Sequence, residues 1–452
     1  MRFAIALLLS FPLFSQPAPD FGVLETSARE ELARLNIPGA SIAVVRGDRV
    51  IFAKGFGTAD VETGDAVKPE MLFRLGSTTK MFTATALVGL ALEGKLDLNA
   101  PIGKYITGLA PKLSQVTANQ LLSHTAGIHD EAPMYGSHDD AALGIGIHQW
   151  TDAWLFTAPG KVFSYSNPGY WMAGYLVEVL SGKPYADAME ELVFHPCGMM
   201  RTTLRPTTAM TWPLAQGHDF ANGKNHVARP AADNAASWPA GSIFSNTSDL
   251  ARFVTAFLNR GMLDGKRVLD PQVFNLLSSP HARYPDSPES YGYGLTVREF
   301  RGVHMVEHSG SRMGYGSFVR MAPEQRVGII VLTNRTGSNL PATVDKATEL
   351  LLPLHAKDAP PAKTALAISP QDAGRIAGVY QNGDQRLEIL ARDSRLFLKR
   401  GKTAETPMVK HSDARYAGEG GGAGEYVMVA GADGKAEYVY TGSRSFARVR
   451  GQ

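Results

Sequence analysis

The sequence predicts an α+β domain followed by a small all-β unit. Strand-like segments rich in Val, Ile and Phe cluster near both ends of residues 20–354, with mostly helical patterns between them, so a helical region is inserted between the halves of one antiparallel sheet. A Pro- and Ala-rich stretch over 355–370 reads as a linker. Beyond it, residues 371–452 hold short strand candidates separated by Gly-rich turns, which suits a small barrel.

Taken in order, Ser27 to Leu35 has the pattern of a short amphipathic helix, closed by Asn36-Ile37-Pro38-Gly39. Ala40 to Arg46 and Arg49 to Phe56 form a hairpin around Gly47-Asp48. Met81 to Glu93 is almost wholly apolar and therefore predicts a helix buried on most of its surface. Thr117 opens a short helix through Ser123, and Gly169 to Ser181 forms another, stopped by Gly182. Thr207 to Trp238 lacks periodicity and reads as a loop that could wall a site. Ser248-Asp249 is expected to cap a helix running through Asn259. Met305 to Glu307, Tyr315 to Met321 and Arg326 to Asn334 complete the sheet. In the tail, strands are expected at 378–380, 387–390, 395–399, 425–429, 437–440 and 446–449.

The chain is 452 residues long with a net charge of +2 and 19% charged residues, which gives no reason to expect nucleic acid or an anionic membrane as a partner. Met1-Arg2 and the apolar run Phe3 to Phe14 have the form of a secretory signal over residues 1–15, so the expectation is a secreted or periplasmic bacterial protein with no integral membrane span after its removal. The single Cys197 cannot make an internal disulfide and reads as a small core residue. His129, His138 and His148 are scattered without metal-ligand spacing on a helix, so no metal and no cofactor is expected, and residues 129–150 read as a lid or substrate-binding loop. His124 reads as a helix-end histidine with its ring bonded to backbone.

The chemistry centres on Ser77-Thr78-Thr79-Lys80, where the buried helix begins. Position i+3 returns to the same helix face, so the Lys80 amine can reach the Ser77 hydroxyl: a nucleophile beside a base. The first turn adds unpaired N–H groups that favour negative charge near the serine oxygen. No other Ser in the chain has Lys three residues on, and a buried lysine needs a reason to be there. Tyr165 and Asn167, two apart in an expected extended segment, would face one side together. His308-Ser309-Gly310-Ser311 ends a strand candidate; Gly310 permits close approach of a substrate, and the Ser311 N–H could join the Ser77 N–H in an oxyanion hole.

Ser77-x-x-Lys80, Tyr165-x-Asn167 and His308-Ser309-Gly310, in this order, resemble the three active-site motifs of the serine β-lactamase and penicillin-binding-protein-like hydrolases, on the branch of class C β-lactamases, D-aminopeptidases and esterases. Leu121 to Ile128, Pro159-Gly160 and Pro239-Ala240-Gly241 are similar to further landmarks of that family, so the resemblance covers residues 22–352. It implies a β-lactamase/transpeptidase-like sheet and acyl transfer through Ser77, with Lys80 and Tyr165 sharing the base and acid roles and Asn167 orienting Lys80 and the substrate. A Lys80 base at neutral pH needs its pKa lowered from about 10.4 by roughly three units, which burial supplies. The tail resembles lipocalin-like domains attached to some of these peptidases.

Many β-lactamases and carboxypeptidases of the kind it resembles have Lys-Thr-Gly where this chain has His308-Ser309-Gly310, so the resemblance implies weaker carboxylate recognition there, with Arg312 a partial substitute. The reading is an exported serine hydrolase acting on ester or D-amino-acid-containing peptide substrates. A class C-type β-lactamase or D-Ala carboxypeptidase, and a catalytically silent peptidoglycan- or peptide-binding protein, are the alternatives. The partner in each case is a small molecule or short peptide, and oligomeric state is not encoded legibly.

Overall fold

In the computed structural model, residues 19–357, 364–393, 395–420 and 424–450 are described. The expected leader over 1–15 and part of the linker over 355–370 lie outside them. Eight antiparallel strands form one sheet, in the order 49–57, 39–46, 327–333, 315–322, 303–312, 296–300, 290–291 and 282–283. Its first strand pair is the expected hairpin, turned by Gly47 at φ +60°, a conformation open to glycine without strain. The three short strands between Ala282 and Phe300 escaped the sequence reading, being too short and too mixed in polarity to show alternation.

Helices cover both faces. Phe21–Leu35 and Pro341–Leu351 pack on one, burying Leu24, Leu32, Ile42 and Val344 against the sheet. The Phe21–Leu35 helix starts six residues before its expected start because Asp20 caps it through the Gly22 amide. On the other face lies the larger core around the Thr79–Leu92 helix, whose apolar residues are buried nearly all round, as its composition requires. The Thr247–Leu258 helix is capped by Asn246, with Asp249 in its first turn, so the cap sits two residues ahead of the expected Ser248. Within the expected 207–238 loop, a short hairpin forms between His218–Ala221 and Lys224–Val227.

The tail closes into an eight-stranded antiparallel barrel, 378–382 through 445–448, entered by the Pro370–Ile376 helix. Strands 406–410 and 415–418 were not legible in the sequence. The barrel is filled by Tyr380, Leu387, Leu396, Tyr416 and Phe446. It also docks on the main domain, where Phe163, Tyr291, Val427 and Tyr440 share one apolar cluster. Among the described residues no helix is long and apolar enough to cross a membrane.

Candidate active site

Ser77 lies in a single 3-10 turn, Gly76–Thr78, that leads into the Thr79–Leu92 helix. Two hydroxyls pin this turn to the sheet: Thr78 Oγ1 meets Ser317 Oγ at 2.7 Å, and Ser317 Oγ donates to Leu75 O at 2.5 Å. The strand carrying Gly310 presses directly on it. A Cβ at Gly310 would come within 1.8 Å of Leu75 O, so only glycine lets the backbones meet. This brings the Ser311 amide beside the turn that carries Ser77.

Lys80 is fully buried, and its Nζ contacts three oxygens: Asn167 Oδ1 at 2.7 Å, Ala240 O at 2.8 Å and Ser77 Oγ at 3.3 Å. Burial holds its pKa well below the usual lysine range, the Asp130 charge opposing that shift and the Arg444 charge adding to it. A neutral amine has two N–H donors and one lone pair. As an ammonium, Nζ donates to all three oxygens; in the neutral form Asn167 Oδ1 and Ala240 O, which can only accept, would take the two donors and leave the lone pair toward the Ser77 hydroxyl. Burial raises the pKa of the Tyr165 phenol, with a hydrogen bond to Ser77 opposing the shift, so the phenol keeps its proton at neutral pH. The ammonium form of Lys80 would face the Tyr165 and Tyr170 rings, with Nζ 4.7 and 5.4 Å from their centroids.

Asn167 does not share an extended segment with Tyr165. Ser166 caps a helix, Asn167–Ser181, through the Gly169 amide, and Pro168 suits its first turn, so Asn167 is the first helical residue. The two side chains still converge, one from the segment before the cap and one from the helix. Asp130 sets the Asn167 amide by accepting from its backbone N at 2.7 Å and from Nδ2 at 3.1 Å, which turns Oδ1 toward Lys80.

His308 is buried and both ring nitrogens are engaged. Nδ1 lies 2.6 Å from Ser309 O, which can only accept, so Nδ1 carries the proton and Nε2 accepts from Tyr291 OH at 3.0 Å. Burial, reinforced by the Lys80 charge, pushes its pKa down to about 3. The ring is therefore neutral and offers no donor to a substrate; its part is to tie the strand to the tyrosine behind it. The Ser309 side chain is exposed. Ser311 and Arg312 line a cavity of about 440 Å³ together with Ser77, Asn167, Trp171 and Met134. Arg312 makes one long bond, to Ala232 O at 3.4 Å, and its Nε has no partner among the described residues.

His124 is buried with positive φ, and its Nδ1 accepts the Ser166 N–H at 3.1 Å, the backbone-bonded role expected of it. The loop histidines go separate ways: His129 toward Glu131, His138 toward Asp233 and His148 toward Tyr175. Cys197 is a buried core residue whose thiol is pushed up to about 12 by burial. Three groups at the site escaped sequence reasoning in these roles: Asp130, the Ala240 carbonyl and Arg444. The Pro239-Ala240-Gly241 landmark marks Ala240 only by resemblance, and nothing in spacing points to Asp130, 37 residues from Asn167, or to Arg444, 314 residues from Asp130.

An antiparallel sheet sandwiched by helices, with a serine beside a buried lysine at the mouth of a cavity, defines the class of the β-lactamase and penicillin-binding-protein-like folds. The chain belongs to the Beta-lactamase family, whose model matches residues 24–353. It is 30% identical over 363 residues to penicillin-binding protein 4 of Amycolatopsis lactamdurans, covering 76% of this chain and 93% of that relative. It is 28% identical to protein Flp of Staphylococcus aureus strain MW2, over 71% of this chain, and spans 64% of Flp's own length. The crystal structure of SurE superposes with a TM-score of 0.77 at 24% identity, covering 95% of this chain and 99% of that one, so the likeness of fold includes the barrel.

Proposed function

We propose that this protein is an exported serine hydrolase that cleaves ester or D-amino-acid-containing peptide bonds through an acyl-serine intermediate. The observation that carries the reading is the Lys80 amine, buried and bonded by two acceptors so that its remaining valence points at Ser77 Oγ. Ser77 Oγ attacks the carbonyl carbon as its proton passes to Lys80. The negative oxygen so formed is held by the Ser77 and Ser311 amides. Collapse breaks the bond to the leaving group, which takes a proton delivered through Tyr165. Water then attacks the acyl carbon, giving up a proton to the same pair; the bond to Ser77 Oγ breaks, that proton returns to Oγ, and the acid is released.

Neutral His308 supports a preference away from strongly carboxylate-dependent substrates at that position. Arg312 in the cavity favours a second reading within the family, a β-lactamase or D-Ala carboxypeptidase, because it is a cation free to meet an anionic substrate group. The name of the 30% identical relative makes penicillin a rational probe. Export rests on the charged start and apolar run of residues 1–15.

Purified protein lacking residues 1–15 should be labelled by a fluorophosphonate or fluorescent penicillin, and Ser77→Ala should abolish labelling. Equal labelling of both would overturn the assignment. A panel of esters, D-amino-acid peptides and nitrocefin separates the substrate classes, and complete inactivity across it would favour a binding protein.

A further inference from the structure

The barrel does more than sit beside the main domain: it bonds to the segment that carries Tyr165 and Asn167. The Tyr165 amide donates to Ser443 O at 2.9 Å, Ser445 Oγ donates to Phe163 O at 2.8 Å, and the Ser445 amide donates to Ser164 Oγ at 3.2 Å. Between these anchors Arg444 reaches inward. Its Nε lies 2.7 Å from Asp130 Oδ2, and its Nη2 contacts the same oxygen. The other carboxylate oxygen, Oδ1, takes both Asn167 donors. Asp130 is 5% exposed and Arg444 32%.

An unbroken chain of polar contacts therefore runs from the barrel to the amine, Arg444 to Asp130 to Asn167 to Lys80. Each link constrains the next. An Asn amide can present either its oxygen or its nitrogen, and Lys80 needs the oxygen; Asp130 decides this by accepting from the nitrogen. Asp130 in turn is a carboxylate in a nearly dry site, which without a cation would be costly and would hold the Lys80 proton in place. Arg444 both anchors that carboxylate and balances its charge.

We propose that Arg444, carried by the C-terminal barrel, is a positioning residue of the serine site, acting through Asp130 on Asn167 and Lys80, so that the barrel completes the site. This rests on the hydrolase reading given above. The other titratable groups nearby are Tyr165 and Tyr170 over the amine, His124 and His308 behind it, and His129, Glu131 and Asp384 beyond Asp130. All stay in place in the variants below, so a change of pH profile reports on the pair.

The experiment is the pH dependence of the Ser77 acylation rate by a fluorophosphonate, in the full chain lacking residues 1–15. Arg444→Ala leaves the Asp130 charge unbalanced, and the acid limb should move to higher pH by about one unit, with a loss of about tenfold near neutral pH that recovers as pH rises. Arg444→Lys should lie between it and wild type. Asp130→Asn removes the negative charge, and its acid limb should move the opposite way, to lower pH, even where the rate plateau falls. Opposite displacement is not expected of a barrel that merely stabilises the fold. Unmoved acid limbs in both single variants, with Ser77 still labelled, would overturn the relay and leave the hydrolase reading standing. Absence of Ser77 labelling in wild type at every pH would overturn both.

Discussion

Gly76 and Ser311 meet backbone to backbone: a Cβ added to Gly76 would lie 2.5 Å from the Ser311 amide nitrogen. Gly76 also has φ +55°, in the left-handed region where a side chain is disfavoured. This one contact sets the spacing between the turn that carries Ser77 and the strand that carries the proposed second oxyanion donor, the Ser311 amide. Gly76→Ala should therefore cost about 1–2 kcal/mol in the turn and, by pushing Ser311 away, lower kcat/KM by about 100-fold or more. Thermal unfolding and steady-state kinetics check the two effects separately, and full activity in a stably folded variant would count against the oxyanion assignment.

Lys80 links activity and stability through one proton. Its folded pKa lies well below the usual 10.5, so between the folded value and 10.5 the unfolded chain binds a proton that the native state does not. Native stability from this group thus rises with pH across that window. The Tm difference between wild type and Lys80→Met should change in wild type's favour as pH increases from neutral toward 10, while Lys80→Met stays inactive throughout. A pH-independent difference would contradict a depressed lysine.

His308 predicts the opposite end of the pH scale. Its pKa is near 3 in the native state and 6.5 when unperturbed. Below pH 6.5 the unfolded chain takes up a proton that the native ring refuses, so the stability present above 6.5 is lost progressively as pH falls toward 3, at up to about 1.4 kcal/mol per unit for one such histidine. His124, also held neutral by burial, adds to the loss. Proton NMR of the imidazoles should show neither ring titrating between pH 5 and 8. His308→Lys should destabilise this chain because a buried ammonium cannot accept the hydrogen bond that Tyr291 OH donates to the ring.

Arg312 should discriminate substrates by charge. Arg312→Ala removes a cation lining the cavity beside Ser77 and ought to raise KM for carboxylate-bearing peptides by about 10- to 100-fold, the scale of a charged hydrogen bond. Neutral esters should be affected less than about threefold, against the same scale. Kinetics on a matched acid and amide pair of substrates distinguishes the two cases.

What a single stretch of sequence could reveal was whatever local spacing and polarity encode. The Met81–Glu93 helix was legible because an apolar run of that length has few other fates, and the structure has it at Thr79–Leu92. The meeting of Ser77 and Lys80 was expected from helical period and the apolar helix beside it, although Ser77 sits in a 3-10 turn just ahead of that helix. The Tyr165 and Asn167 pairing was seen, but its geometry was misjudged, since the Ser166 cap converts an expected strand into a helix start. Short strands at 282–300, 406–410 and 415–418 stayed hidden because their neighbours across the sheet, and not their own alternation, hold them in place.

By itself, then, the sequence determined the class of fold and the meeting of Ser77 with Lys80, for both depend on residues within one helical turn or one repeated pattern. Only the tertiary structure decided their surroundings: Lys80 stripped of water, Asn167 turned by Asp130, His308 neutral and spent on the Ser309 carbonyl and Tyr291, and Arg444 delivered to Asp130 from 314 residues away. The physical reason is that desolvation and charge balance belong to a volume, and residues that fill one volume need share no stretch of chain.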